Sequence, residues 1–501
     1  MMMSKALRDA RDFENQYGPH IPDNERPAYH VTPTIGWMND PNGFSVYKGE
    51  YHLFYQYHPY SNEWGPMHWG HVKTRDFLHW ERLPAALAPD ADYDRAGCFS
   101  GSAVELPDGR QLLMYTGVQR GHTPDGFIQD VQTQCIAVGD GVDFEKTEEN
   151  PVLDGKDLPQ DGSTVDFRDP KLWREDDGNY YAVIGNRTAD GSGAILLYRS
   201  SDCKKWEFVR TLDRCCNQYG KMWECPDFFP LDGKHVLLTS PQEMTPVGLE
   251  FHAGNGTVCL IGDYVPQKKG FSRQFVQAID YGLDFYAPQT LLTPDGRRIM
   301  IAWMQNWSTV GAKPYHCRWF GQTTIPRELS VRDGRLYQNP VRELESARGQ
   351  CVIHRNIPVS GEVNLPGIQG RVLDMTVTVR PTGEERYRWF RVRVAKDGEH
   401  ETIIRYRPSQ STLKIDRTRS GLPHDIVHTR SFLVRPRDGE MKMRILLDRY
   451  SVEIFVNDGE QAASTVIYTP QEADAITFEA GGAALVDVEK YELRFDDSEE
   501  S

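Results

Sequence analysis

Gly49-Glu-Tyr-His-Leu-Phe-Tyr-Gln-Tyr57 is a turn glycine followed by an apolar strand, and the chain repeats this figure five times. The echoes are Gly109-Arg-Gln-Leu-Leu-Met-Tyr-Thr-Gly117, Gly178-Asn-Tyr-Tyr-Ala-Val-Ile-Gly-Asn186, Gly233-Lys-His-Val-Leu-Leu-Thr-Ser-Pro241 and Gly296-Arg-Arg-Ile-Met-Ile-Ala-Trp-Met304. In four of the five, Asp precedes the glycine, as a tight hairpin prefers. The glycines are 60, 69, 55 and 63 residues apart. All-β repeats of this length are propeller blades of about four strands each. The fold predicted is therefore all-β, with a five-bladed β-propeller as its main body.

The repeat also points at chemistry. Nine residues before each glycine stand Asp40, Ser100, Asp169, Glu224 and Ala287. Their contexts are alike: Asn-Asp40-Pro-Asn, Arg-Asp169-Pro-Lys, Glu224-Cys-Pro-Asp and Tyr-Ala287-Pro-Gln. Equivalent positions of a propeller lie at one radius around one axis, so Asp40, Asp169 and Glu224 are expected to converge. Strands disfavour Asp and Glu. Converging carboxylates also repel one another, a cost associated with active sites.

Outside the repeats, residues 4–17 read as a short N-terminal helix, with Ser4 as cap and Ala6, Leu7, Ala10 and Phe13 as its apolar stripe. The expected division is a helical extension over 1–24, the propeller over 25–340, a charged linker over 341–355, a second domain over 356–495 and a tail over 496–501. The second domain alternates polar and apolar residues, as in Phe390-Arg-Val-Arg-Val394 and Val452-Glu-Ile-Phe-Val456, which predicts an antiparallel β-sandwich. Asp448 and Glu453 stand out there only as polar members of a strand and its approach.

A formal net charge of −15 over 501 residues argues against nucleic acid or an anionic membrane as partner. Nine cysteines without a CxxC pair form neither a disulfide framework nor a zinc site. Reduced thiols, a charged N-terminus without an apolar core and no membrane-length apolar run fit a cytoplasmic protein. The sequons at Asn186, Asn255 and Asn306 then read as chance.

Trp37-Met-Asn-Asp-Pro-Asn-Gly43, Phe99-Ser-Gly-Ser102, Arg168-Asp-Pro170 and Glu224-Cys-Pro-Asp227, in this order, resemble the motifs of glycoside hydrolase family 32. That family includes invertases, sucrose-6-phosphate hydrolases, inulinases and levanases. The resemblance extends to Asp448-Arg-Tyr-Ser-Val-Glu-Ile-Phe-Val-Asn-Asp-Gly459 and implies a five-bladed propeller followed by a β-sandwich. It assigns Asp40 as nucleophile, Glu224 as general acid/base and Asp169 as stabiliser of the transition state. The implied reaction is the release of terminal fructose from sucrose or short fructo-oligosaccharides, with retention. Alternatives are sucrose-6-phosphate hydrolase, exo-acting inulinase or levanase, and fructosyltransferase. Retention needs one carboxylate to attack the anomeric carbon and another, ~5–5.5 Å away, to protonate the leaving oxygen.

Substrate-holding candidates on the same motifs are Asn39, Gln56, Trp64, Phe99, Ser100, Arg168, Tyr286 and Trp303. Cys225 is a candidate for tuning the acid/base. No metal or other cofactor is required, so His30, His58, His68 and His71 read as structural. A phosphate on the substrate would call for Arg120, Lys313 or Arg318. The sandwich offers a face for a homo-oligomer.

Overall fold

The computed structural model describes residues 3–122, 126–311, 313, 317–383 and 387–495; the expected tail lies outside them. Five antiparallel sheets form the blades of a propeller. Their first strands, Gly36–Tyr47, Gly97–Glu105, Gly162–Arg174, Met222–Leu231 and Tyr286–Leu292, pack on one another around the axis. Blades cover each other face to face, so the strands beside these are buried on both sides. That is why Leu53 to Tyr57 and Leu112 to Thr116 read as unbroken runs rather than alternating ones. Trp319 and Phe320, from the loop of the fifth blade, pair in parallel with Gly36 and Trp37 and latch the ring shut.

The five repeat glycines have φ between 78° and 85°, a left-handed turn that a side chain would strain. Each first strand also carries an irregularity at one level: between Met38 and Pro41, Phe99 and Gly101, Arg168 and Lys171, Glu224 and Asp227, and Tyr286 and Gln289. A bulge re-aims side chains out of the ladder. Asp169, Cys225 and Ala287 take positive φ there.

This level corrects the register counted from the glycines. The residues before the proline are Asp40, Asp169, Cys225 and Ala287; Glu224 stands one place earlier, with Asn39, Arg168 and Tyr286. The count slipped because the fourth blade has one residue fewer between its bulge and its glycine: Pro226 to Gly233 is seven positions, against eight from Pro41, Pro170 and Pro288 to their glycines.

The N-terminal helix, Lys5–Tyr17, is capped by Ser4, whose Oγ accepts from Leu7 N at 3.2 Å. It buries Leu7, Ala10 and Glu14 against the first blade. After the propeller, residues 342–347 form a 3-10 helix, and the stretch expected to continue as linker enters the strand Arg348–Val363. That strand pairs with Ala475–Leu493, which also pairs with Leu373–Pro381 and Phe390–Lys396, so its carbonyls and N–H groups are used on both edges. The long strand turns between the two layers of the sandwich at Gly481 and Gly482; a Cβ on Gly481 would meet the Trp389 ring at 2.4 Å.

The two domains are joined by buried ion pairs. His30 lies 2.7 Å from Asp448 and 2.9 Å from Glu453. Arg327 meets Glu453 at 2.6 Å and Asp280 at 3.0 Å, while Arg417 pairs with Asp284. Asp448 and Glu453, unremarkable in sequence, are thus the sandwich's grip on the propeller.

Candidate active site

The bulges turn three carboxylates and one guanidinium into a cavity of about 490 Å³ on the propeller axis. Asp40, Asp169 and Arg168 are each less than one-tenth exposed. A larger cleft, about 730 Å³, lies between the domains around Arg26, Tyr29, Arg82 and Arg449 and contains none of these carboxylates.

Asp40 is held by neutral donors. Asn39 Nδ2 donates to its Oδ1 at 3.0 Å and Ser100 Oγ to its Oδ2 at 3.0 Å; Trp37 Nε1 fixes Asn39 at 2.7 Å. Burial, then the facing Glu224, push its pKa up to about 6 against those three hydrogen-bonding neighbours, Asn39, Ser100 and Cys225. Asp169 Oδ2 accepts from the backbone N of Cys225 at 2.9 Å. Its pKa is pushed up to about 7, chiefly by burial, with Glu224 and Asp40 adding and Arg168 opposing.

Glu224 is clamped on both oxygens. Arg168 donates to Oε1 through Nε at 3.0 Å and Nη2 at 2.9 Å, and Tyr286 donates its hydroxyl to Oε2 at 2.6 Å. That hydroxyl also lies 3.0 Å from the carbonyl of Ser240. Tyr286 thereby has a partner for either protonation state of Glu224. It donates to the carboxylate, or it accepts from the acid and donates to Ser240. Arg168 is held in turn by Asp166 at 2.9 Å and Gln132 at 3.3 Å. Cys225 Sγ approaches Asp40 at 3.6 Å and Asp169 at 3.5 Å, so its thiol addresses those two groups rather than Glu224.

Of the expected substrate-holding residues, Asn39, Gln56, Trp64, Phe99, Ser100 and Arg168 line the cavity. Trp64 is half exposed and stands edge-on to Phe99 at 6.1 Å, a wall of the mouth. Tyr286 and Trp303 are corrected. Both are fully buried; Tyr286 holds Glu224, and Trp303 packs behind Trp37 and Trp307 with ring centroids 6.1 and 5.1 Å away. The ladder pairs Trp303 with Tyr286, one step back from the cavity.

Sequence reasoning missed Asp130, Gln132, Val165, Asp166, Gln242, Asn255 and Trp307, which complete the lining. Only Asp166 and Trp307 had a signal, lying two residues before Arg168 and four after Trp303. Three of the four histidines contact their own blade, His58 the Glu63 carbonyl at 2.9 Å, His68 the Pro66 carbonyl at 3.0 Å and His71 the His52 ring at 2.9 Å, and His30 bridges the domains. Lys313 pairs with Glu63 at 3.4 Å and Arg318 covers the Tyr17 ring, so neither lines the cavity.

Comparison with known proteins agrees with this arrangement. Residues 30–340 match the N-terminal domain of glycosyl hydrolases family 32, and residues 343–494 match its C-terminal domain. The raffinose invertase of Escherichia coli is 39% identical over 477 residues, covering 92% of this chain and 94% of the relative. A sucrose-6-phosphate hydrolase of Zymomonas mobilis is 38% identical over 469 residues, covering 91% and 89%. Among solved structures, the β-fructofuranosidase of Bombyx mori superposes with a TM-score of 0.83 at 32% identity over 98% of both chains. A variant of that enzyme was solved with sucrose. The chain, a five-bladed propeller with a C-terminal sandwich matched by the family over nearly its whole length, belongs to glycosyl hydrolases family 32 and is a glycoside hydrolase.

Proposed function

We propose that this enzyme is a retaining β-fructofuranosidase that releases the terminal fructose of sucrose and short fructo-oligosaccharides. The observation that carries the reading is the asymmetry between Asp40 and Glu224. Asp40 is open to the cavity and held by neutral donors on its two oxygens, which leaves it a free nucleophile. Glu224 is bound to a tyrosine hydroxyl that accommodates both protonation states, as a group that gives and then takes a proton requires.

In the first half-reaction Asp40 attacks C2 of fructose while Glu224 protonates the departing oxygen, leaving a fructosyl ester on Asp40. In the second, Glu224, now ionised, deprotonates the water that releases fructose. Asp169 faces the fructose hydroxyls and offsets positive charge developing at C2. Arg168 keeps Glu224 in place through both steps. We also place the enzyme in the cytoplasm. Its exposed Cys216 and Cys351 thiols suit a reducing compartment, and two of its three sequons, at Asn186 and Asn306, are buried. The test is a product assay on sucrose, kestose and inulin with NMR of the first-formed anomer. Fructose of retained configuration is expected. Inverted product, or none, would overturn the reading.

A further inference from the structure

Resting on that reading, we infer that the leaving-group side of the cavity selects an uncharged sugar and rejects a phosphorylated one, and that Asp130 sets this preference. The leaving oxygen must meet Glu224, which Arg168 joins to Asp166 and Gln132, and Asp130, Gln242, Asn255 and Trp307 line the same cavity. Three amides and an indole suit neutral hydroxyls.

The charges there are one-sided. The cavity is lined by five carboxylates, Asp40, Asp130, Asp166, Asp169 and Glu224, against one guanidinium, that of Arg168. Arg168 is spent on Glu224 and Asp166, both at 2.9 Å. The cations just outside are also engaged: Arg187 with Asp166 and Glu243, each at 3.5 Å, and Lys221 with Glu243 at 3.2 Å. Arg120 stands across its hairpin from Asp130, exposed and outside the lining, so it dilutes that carboxylate without creating a receptor for phosphate. A phosphoryl group brings nearly two negative charges at neutral pH. It would enter an acidic mouth with no free cation among the described lining residues.

The experiment compares kcat/KM for sucrose and sucrose 6-phosphate at low and high ionic strength, in the native enzyme and in Asp130→Asn and Asp130→Lys. Sucrose should be preferred by at least about tenfold at low salt. The preference, read as the ratio of the two kcat/KM values, should shrink as salt rises, and shrink in the order native, Asp130→Asn, Asp130→Lys. A role for Asp130 in pocket shape alone would give no salt dependence. Equal or better hydrolysis of sucrose 6-phosphate would overturn the inference. Failure to release fructose from either sugar would instead overturn the reading on which it rests.

Discussion

Two groups of buried carboxylates in this molecule are treated in opposite ways. At the domain interface Asp448 and Glu453 are as deeply buried as Asp40 and Asp169 in the cavity. Burial raises the pKa of all four, yet at the interface it is overcome. His30 and two backbone N–H groups bring Asp448 below the usual carboxylate range, and Arg327 with His30 does the same for Glu453. Among the described lining residues only Arg168 supplies positive charge, it is shared with Glu224 and Asp166, and Asp40 and Asp169 end up raised to about 6 and about 7. Burial alone therefore does not separate a structural carboxylate from a chemical one; the supply of opposite charge does.

The comparison breaks most visibly when one member of each group is removed. Asp40→Asn should lower kcat by about 10⁴-fold, as loss of a nucleophile does. It should also raise folding stability by about 1–3 kcal/mol, because a buried charge facing two others is gone. Steady-state kinetics and urea unfolding check both; a destabilised variant would mean that Asp40 belongs with the structural group. Arg327→Met should do the reverse. It strands Glu453 and Asp280 and should cost about 3–5 kcal/mol, with kcat per folded molecule unchanged.

Asp40 in the cavity and His30 at the interface should also titrate on opposite sides of neutrality. As the proposed nucleophile Asp40 must be ionised, so kcat/KM should fall as pH drops through about 6. Burial opposes charge on His30, but Asp448 and Glu453 outweigh it and raise its pKa to about 9. Its stabilising contribution is then complete below its unfolded pKa of about 6.5 and is lost as pH rises through about 9. Asp448 and Glu453, being lowered, contribute above their unfolded values and lose that contribution in acid. A His30→Gln enzyme that still loses stability between pH 7 and 9 would remove this assignment. The smallest effect concerns the neutral donors. Ser100→Ala deletes a hydrogen bond to ionised Asp40 and should move the acidic limb of kcat/KM upward by less than about one pH unit. Cys225→Ala, through its longer contacts, should move it less.

Much of this could be read in the chain because a propeller repeats. The five glycine turns, the five apolar strands and the prolines that follow Asp40, Asp169, Cys225 and Ala287 recur in sequence as they recur in space. Glu224 was found by counting back along a blade that is one residue shorter between bulge and glycine, so the right residue emerged from a register one place off. Asp130, Gln242 and Asn255 left no trace. Asp130 and Asn255 reach the cavity from a hairpin and a loop that no period governs, and Gln242 ends a repeat strand beyond the stretch that recurs in sequence. The roles of Tyr286 and Trp303 were misread for a related reason. Period and motif place a residue on a strand, but which of two layers behind the cavity it occupies is decided by the bulge beside it. Asp448 and Glu453 were invisible as interface residues, because their partners His30 and Arg327 lie more than one hundred positions earlier in the chain.

The central claim is a covalent bond at Asp40. It is tested most directly by incubating the Glu224→Gln enzyme with fructosyl fluoride, whose leaving group needs no acid, and digesting it for mass spectrometry. The peptide that carries Asp40 should be heavier by one fructosyl residue, with fragmentation placing the added mass on that side chain. The same mass on Asp169, or an unmodified enzyme that turns the fluoride over to inverted fructose, would contradict the account.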